Sequence, residues 1–109
     1  MTKIRARSVS PVARFGECSL DLRKMELTRA DQPVVLTSRE FKVLKFLIAR
    51  PEIVISRQKL ISALWPRRKR STNRTVDNCI VKLRQKIESN SDHPVFIRTV
   101  HGVGYKFVP

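Results

Sequence analysis

Residues 73–88 read NRTVDNCIVKLRQKIE. Val76, Ile80, Leu83 and Ile87 recur at spacings of four, three and four, so they share one face of a helix. Asn73 suits the N-cap, and Asp77 suits the positive end of the helix dipole. The inward stripe leaves Arg74, Thr75, Asn78, Cys79, Lys82, Gln85 and Lys86 outside. An ordinary solvated face mixes Glu with Lys. This one carries cations and amides, groups that hold phosphates and read base edges.

Upstream, residues 66–72 form a loop containing Arg67-Arg68-Lys69-Arg70. Before it, Ser56 can cap a second helix whose Leu60, Ile61 and Leu64 face inward and which ends at Trp65-Pro66. Ile53-Val54-Ile55 is a brief extended segment. A first helix starts at Thr37, with Glu40 as its capping-box partner. Phe41, Leu44, Leu47 and Ile48 form its apolar face, and Arg50-Pro51 ends it. Further back, the period changes to two. Cys18, Leu20 and Leu22 alternate with polar residues, and Met25 and Leu27 continue the pattern. Ala30-Asp31-Gln32-Pro33 reads as a turn and Val34-Val35-Leu36 as another strand, which makes a small antiparallel sheet. Residues 1–12 read as a linker or flexible tail, and 13–109 as one domain.

Downstream, Ile97–Val100 and Tyr105–Val108 flank His101-Gly102-Val103-Gly104, a hairpin whose glycines allow positive backbone angles. The predicted fold class is α+β: a small N-terminal antiparallel sheet, three helices and a C-terminal β-hairpin wing. Three helices and a wing, with charge crowded on the last helix, make a winged helix-turn-helix.

The composition points the same way. Lys and Arg number 23 against 9 Asp and Glu, a net charge of +14 in 109 residues. Residues 53–91 hold ten of the cations and two acids, Asp77 and Glu88. Such a concentration attracts polyanions, because each neutralised phosphate releases condensed counterions. No apolar run approaches the roughly 18 residues of a membrane span, and the N-terminus lacks the apolar stretch of a signal peptide. The cytoplasm is the expected compartment, where Cys18 and Cys79 are expected as reduced thiols. His93 and His101 are scattered, with no zinc-ligand spacing. No Gly-rich phosphate loop, nucleophile elbow or paired carboxylates argue for catalysis, and no cofactor is expected.

The chain also resembles the OmpR/PhoB-type effector domain of bacterial response regulators over roughly residues 13 to 109. The residues that carry the resemblance are Leu36-Thr37-Ser38-Arg39-Glu40-Phe41 with Leu44, Ser56-Arg57 with Leu60 and Trp65, and Arg74-Thr75-Val76-Asp77 with Ile80. Leu83-Arg84-Gln85-Lys86-Ile87 and Thr99-Val100-His101-Gly102-Val103-Gly104-Tyr105 complete it. The resemblance implies a four-stranded N-terminal antiparallel sheet, three helices and a C-terminal wing, serving transcriptional regulation within a two-component phosphorelay. It also implies a phosphorylated receiver domain upstream, head-to-tail binding to repeated sites on double-stranded DNA, and RNA polymerase as a possible partner. No receiver lies within these 109 residues. Where activators of the family face polymerase, this chain carries four adjacent cations.

The expected DNA contacts are Arg74, Thr75, Asn78, Cys79, Lys82, Arg84 and Lys86 on the third helix, Thr99, His101 and Lys106 on the wing, and the loop Arg67, Arg68, Lys69 and Arg70. The third helix, about 73–88, is assigned to the major groove and the wing, 97–108, to the adjacent minor groove. The family likeness casts Arg74 and Arg84 as backbone contacts; both also suit plain salt bridges. Asn78 can pair with adenine, and Lys82 can read guanine or hold a phosphate. Thr75 and Cys79 can touch a thymine methyl, or Cys79 can be a passive thiol. His101 fits a minor groove or open solvent. Asp77 reads as structural, and Trp65 and Tyr105 as core. An RNA-binding module is the main rival, but the seven aromatics fall mostly on apolar faces, which disfavours base stacking. A purely protein-binding domain leaves the polar face of the third helix unexplained.

Overall fold

The computed structural model describes residues 11–65 and 71–109. They fall into two units, divided between Val35 and Leu36. The expected linker, residues 1–12, lies almost wholly outside the described residues, as does the basic loop Arg67–Arg70.

The first unit is a four-stranded antiparallel meander of β1 (Val12–Phe15), β2 (Cys18–Asp21), β3 (Glu26–Arg29) and β4 (Gln32–Val34), in that order. Its register pairs Phe15 with Cys18 and Leu20 with Leu27, so these four side chains share the buried face. Two expectations need correction here. Met25 is not in a strand: it has a φ of 57° and is exposed. The Asp21 carboxylate accepts from the N–H groups of Arg23 and Lys24 at 3.0 and 2.9 Å, and this side-chain turn breaks the alternation. The last strand is Gln32–Val34 and not Val34–Leu36; Val35 is 83% exposed. Ala30 and Asp31 both take positive φ, 51° and 63°, as a two-residue hairpin turn requires. That tight turn sets Gln32 opposite Arg29 and starts the strand early. Pro33 is tolerated because β4 is an edge.

The second unit holds α1 (Ser38–Ile48), β5 (Ile55–Ser56), α2 (Arg57–Leu64), α3 (Asn73–Ile87), β6 (Ile97–Val100) and β7 (Gly104–Phe107). The capping box of α1 is present: Thr37 Oγ1 accepts from the Glu40 N–H at 3.1 Å, and Glu40 accepts from the Thr37 N–H at 3.0 Å. Ser56 caps α2 by accepting from the Lys59 N–H at 3.0 Å. The core of this unit is Phe41, Val43, Leu44 and Leu47 of α1, Leu60 of α2, Trp65, the α3 stripe Val76, Ile80, Leu83 and Ile87, and Ile97, Tyr105 and Phe107 of the hairpin.

The start of α3 departs from the sequence reading. Thr72, not Asn73, is its N-cap, and Thr75 Oγ1 accepts from the Thr72 N–H at 3.2 Å. Asp77 therefore sits in the second turn, beyond the strongest reach of the dipole. The helix ends at Ile87, with Glu88 as its C-cap. Glu88 is only 2% exposed. Its carboxylate accepts from the N–H groups of Val95, Phe96 and Ile97 at 2.7, 3.0 and 2.9 Å, which outweighs the unfavourable position of an acid at a helix C-terminus.

β5 joins the hairpin in a three-stranded sheet ordered β5-β7-β6, pairing Ile55 with Tyr105 and Ser56 with Gly104. The two wing glycines serve different ends. Gly102 takes a φ of 78° at the tip. Gly104 is needed for close approach, since a Cβ there would lie 2.0 Å from the Ile55 carbonyl oxygen.

Candidate nucleic-acid interface

The buried stripe of α3 fixes what its other face presents. Arg74, Asn78, Val81, Lys82 and Gln85 are all exposed, and their spacing keeps them on one side of the helix. None of the five makes a side-chain hydrogen bond or ion pair among the described residues. No acid stands on that face. Asp77 turns instead into the protein, accepting from Arg57 Nε at 2.8 Å and from the Tyr105 hydroxyl.

The remaining expected contacts on α3 lie elsewhere. Cys79, placed outside by the sequence reading, is buried at 9% exposure, because the apolar sector of α3 is wider than its four-residue stripe. Burial pushes its thiol up to about 11, so it remains protonated at neutral pH. Lys86 forms an ion pair with Glu40, which is 3% exposed on α1. Burial alone would raise the Glu40 carboxyl, but Lys86 and the Thr37 cap outweigh it and hold it below the ordinary value. Thr75 is half-buried in the cap.

Arg84 is engaged within the protein. Its guanidinium donates to the Ile97 carbonyl at 3.0 and 2.8 Å and to Thr99 Oγ1 at 2.8 Å, and it lies 5.5 Å from the Tyr105 ring centroid. Burial pulls it below its ordinary value, opposed by Tyr105, Glu88 and Asp77. Thr99 is thereby an internal acceptor. Burial and the Asp77 hydrogen bond both raise the Tyr105 hydroxyl. Asp77 itself, pushed up by burial, is held low overall by Tyr105 and Arg57, and Arg57 is raised in turn by Asp77. Two bridges therefore join the outward-facing helix to the wing: Asp77 to Tyr105 on β7, and Arg84 to Ile97 and Thr99 on β6.

On the wing, His101, Gly102 and Val103 form an exposed tip. Lys106 is half-buried and pairs in register with Arg98, so two cations oppose each other across the strands. Like charges in that position repel unless an anion lies between or beside them. Arg98 Nε donates to the Val95 carbonyl at 2.9 Å.

The sequence reading overlooked Val81, Arg98 and Arg57. Val81 follows from the wheel, three residues after Asn78 and four before Gln85. Arg98 needs the strand register, and Arg57 needs a pairing across 20 residues that no local pattern reveals. Among the described residues, no group of three or more His, Cys, Asp or Glu could hold a metal, and no helix is long and apolar enough to cross a membrane.

A helix with a polar, acid-free outer face, braced against a Gly-tipped hairpin and preceded by two capped helices, defines a winged helix-turn-helix domain. The chain belongs to the family described as transcriptional regulatory protein, C terminal, which matches residues 31–107. It is 36% identical over 103 residues to the transcriptional regulatory protein AfsQ1 of Streptomyces coelicolor, a match that covers 94% of this chain and 46% of that protein. Its fold is similar to that of the response regulator DrrB, an OmpR/PhoB homologue from Thermotoga maritima. There the TM-score is 0.84 at 29% identity, covering 95% of this chain and 47% of that one. It is also similar to the Klebsiella pneumoniae RstA DNA-binding domain, solved in complex with the RstA box. That comparison gives a TM-score of 0.78 at 27% identity, covering 89% and 96% of the two chains. The chain thus spans less than half the length of AfsQ1.

Proposed function

We propose that this domain binds double-stranded DNA at specific sites as the output domain of a bacterial two-component transcriptional regulator. In this reading α3 enters the major groove and the β6–β7 hairpin meets the adjacent minor groove. The observation that carries it is the outer face of α3: five exposed side chains, without an acid and without internal partners among the described residues. The RstA DNA-binding domain, solved in complex with the RstA box, supports DNA binding by this fold.

The proposed roles divide by surroundings. Asn78 and Lys82 take part in sequence choice, and Arg74 grips the backbone. His101 and Lys106, with Arg98 beside it, serve the wing. Arg84, Thr99 and Lys86 act through position, holding the wing and α1 to the recognition helix. Thr75 sits at the start of α3, where the first N–H groups of a helix can meet a phosphate. Arg67, Arg68, Lys69 and Arg70 add phosphate contacts. Beyond the domain, we infer an upstream receiver, head-to-tail pairing on repeated sites, contact with RNA polymerase, and action in the cytoplasm.

The test is selection of bound duplexes from a randomised library, followed by competition with single-stranded RNA. The expected outcome is an enriched motif whose binding the RNA does not displace. Enrichment without a motif, or preference for the RNA, contradicts the proposal.

A further inference from the structure

We propose that Val81 is a specificity-determining residue that reads a thymine through its 5-methyl group. The inference rests on the proposed placement of α3 in the major groove. Val81 is 50% exposed, on one edge of a face otherwise made of Arg74, Asn78, Lys82 and Gln85. A β-branched side chain there has restricted rotamers and leaves apolar surface in water, and it supports neither capping nor core. The polar neighbours all have hydrogen-bonding partners in a groove; the valine has none. The edges of the four bases in the major groove carry donors and acceptors with one apolar exception, the C5-methyl of thymine.

The neighbours narrow the choice. Asn78 precedes Val81 by three residues and Gln85 follows it by four, so the two amides flank it along the helix. Each suits the N6 and N7 edge of adenine. Adenine bound by an amide presents its paired thymine methyl in the same groove, and a stiff apolar side chain between two amides fits against it. The recognised core is thus A·T-rich, with at least one thymine read by shape and apolar contact and not by hydrogen bonding. Lys82, beside Val81 on the helix, then takes guanine or phosphate at the margin of that core.

The test uses a duplex selected by the protein. Each thymine is replaced in turn by deoxyuridine, which removes the methyl group and leaves pairing and hydrogen bonding intact. Wild type and Val81→Ala are titrated against each duplex. Alanine favours the helix and Val81 is half-exposed, so the variant is expected to fold. The deoxyuridine series on the wild type needs no variant at all. The expected result is one or two thymines per half-site at which deoxyuridine weakens wild-type binding roughly three- to tenfold. At those positions Val81→Ala binds the thymine and uracil duplexes alike. Equal uracil sensitivity in both proteins, or none in either, overturns the assignment of Val81 and leaves DNA binding standing. Failure to select any duplex overturns the functional proposal and this inference with it.

Discussion

Asn78 and Arg84 lie six residues apart on α3, yet their surroundings differ sharply. Asn78 is exposed and has no side-chain partner among the described residues; Arg84 is half-buried and donates to two groups of β6. Asn78→Ala is expected to weaken binding to the preferred site by about 1–3 kcal/mol and to random duplex by much less, as paired isotherms will show. Arg84→Ala should destabilise the domain by about 1–3 kcal/mol in denaturant unfolding, because it strands the Ile97 carbonyl and Thr99. Arg84→Lys should recover little, since an ammonium cannot reproduce the fork. Cys79 gives a third contrast. With its thiol raised to about 11 and buried, it should resist alkylation at pH 8 until the protein is unfolded, as peptide mass mapping will show. These distinctions were only partly legible in the sequence. The helical wheel separates inward from outward positions, and so finds Asn78 and Lys82. It does not reveal that an outward arginine folds back onto a strand 13 residues away. Nor does it reveal that the buried sector of α3 widens to take in Cys79.

Among the elements, local signals carried the most. Both caps expected at Thr37 and Ser56 are present, since each depends on an interaction three residues long. The stripe of α3 was readable for the same reason. Pairings across longer separations were not. β5 joins the wing sheet through Ile55 and Ser56, some 50 residues before their partners in β7, and nothing in their local pattern names those partners. The joints between elements are charged. Lys86 and Glu40 link α3 to α1, while Asp77 links α3 to Arg57 of α2 and Tyr105 of β7. Both carboxyls are held below their ordinary values of 4.5 and 3.8, so each contributes stability that is fully present above those values. That stability is lost as the pH falls through the lowered folded-state values. Asp77→Asn should therefore destabilise the domain by about 1 kcal/mol at pH 7, and the gap to wild type should close in acid. Thermal unfolding at pH 7, 5 and 3 measures it. A gap that is unchanged at pH 3 argues against an ionised Asp77 in the joint.

At the scale of the molecule, charge dominates. The net of +14 is large for 109 residues, and the outward face of α3 and the Arg98–Lys106 pair supply part of it without an ion pair among the described residues. Arg67, Arg68, Lys69 and Arg70 precede α3 directly in the chain. Changing all four to Gln should weaken specific and random binding alike and flatten the salt slope by up to about one unit per lost contact, because phosphate contacts position without specifying. A variant that binds DNA normally but fails in transcription would assign those cations to a protein partner. The central claim is that an electrostatic grip on DNA holds α3 in place to read bases. It is tested most directly by titrating the selected duplex and a random duplex at rising salt. With six to ten phosphates contacted, affinity for both should fall roughly a thousandfold or more between about 50 and 200 mM, the selected duplex staying tighter throughout. A flat salt dependence, or two isotherms that coincide at every salt concentration, would contradict the account.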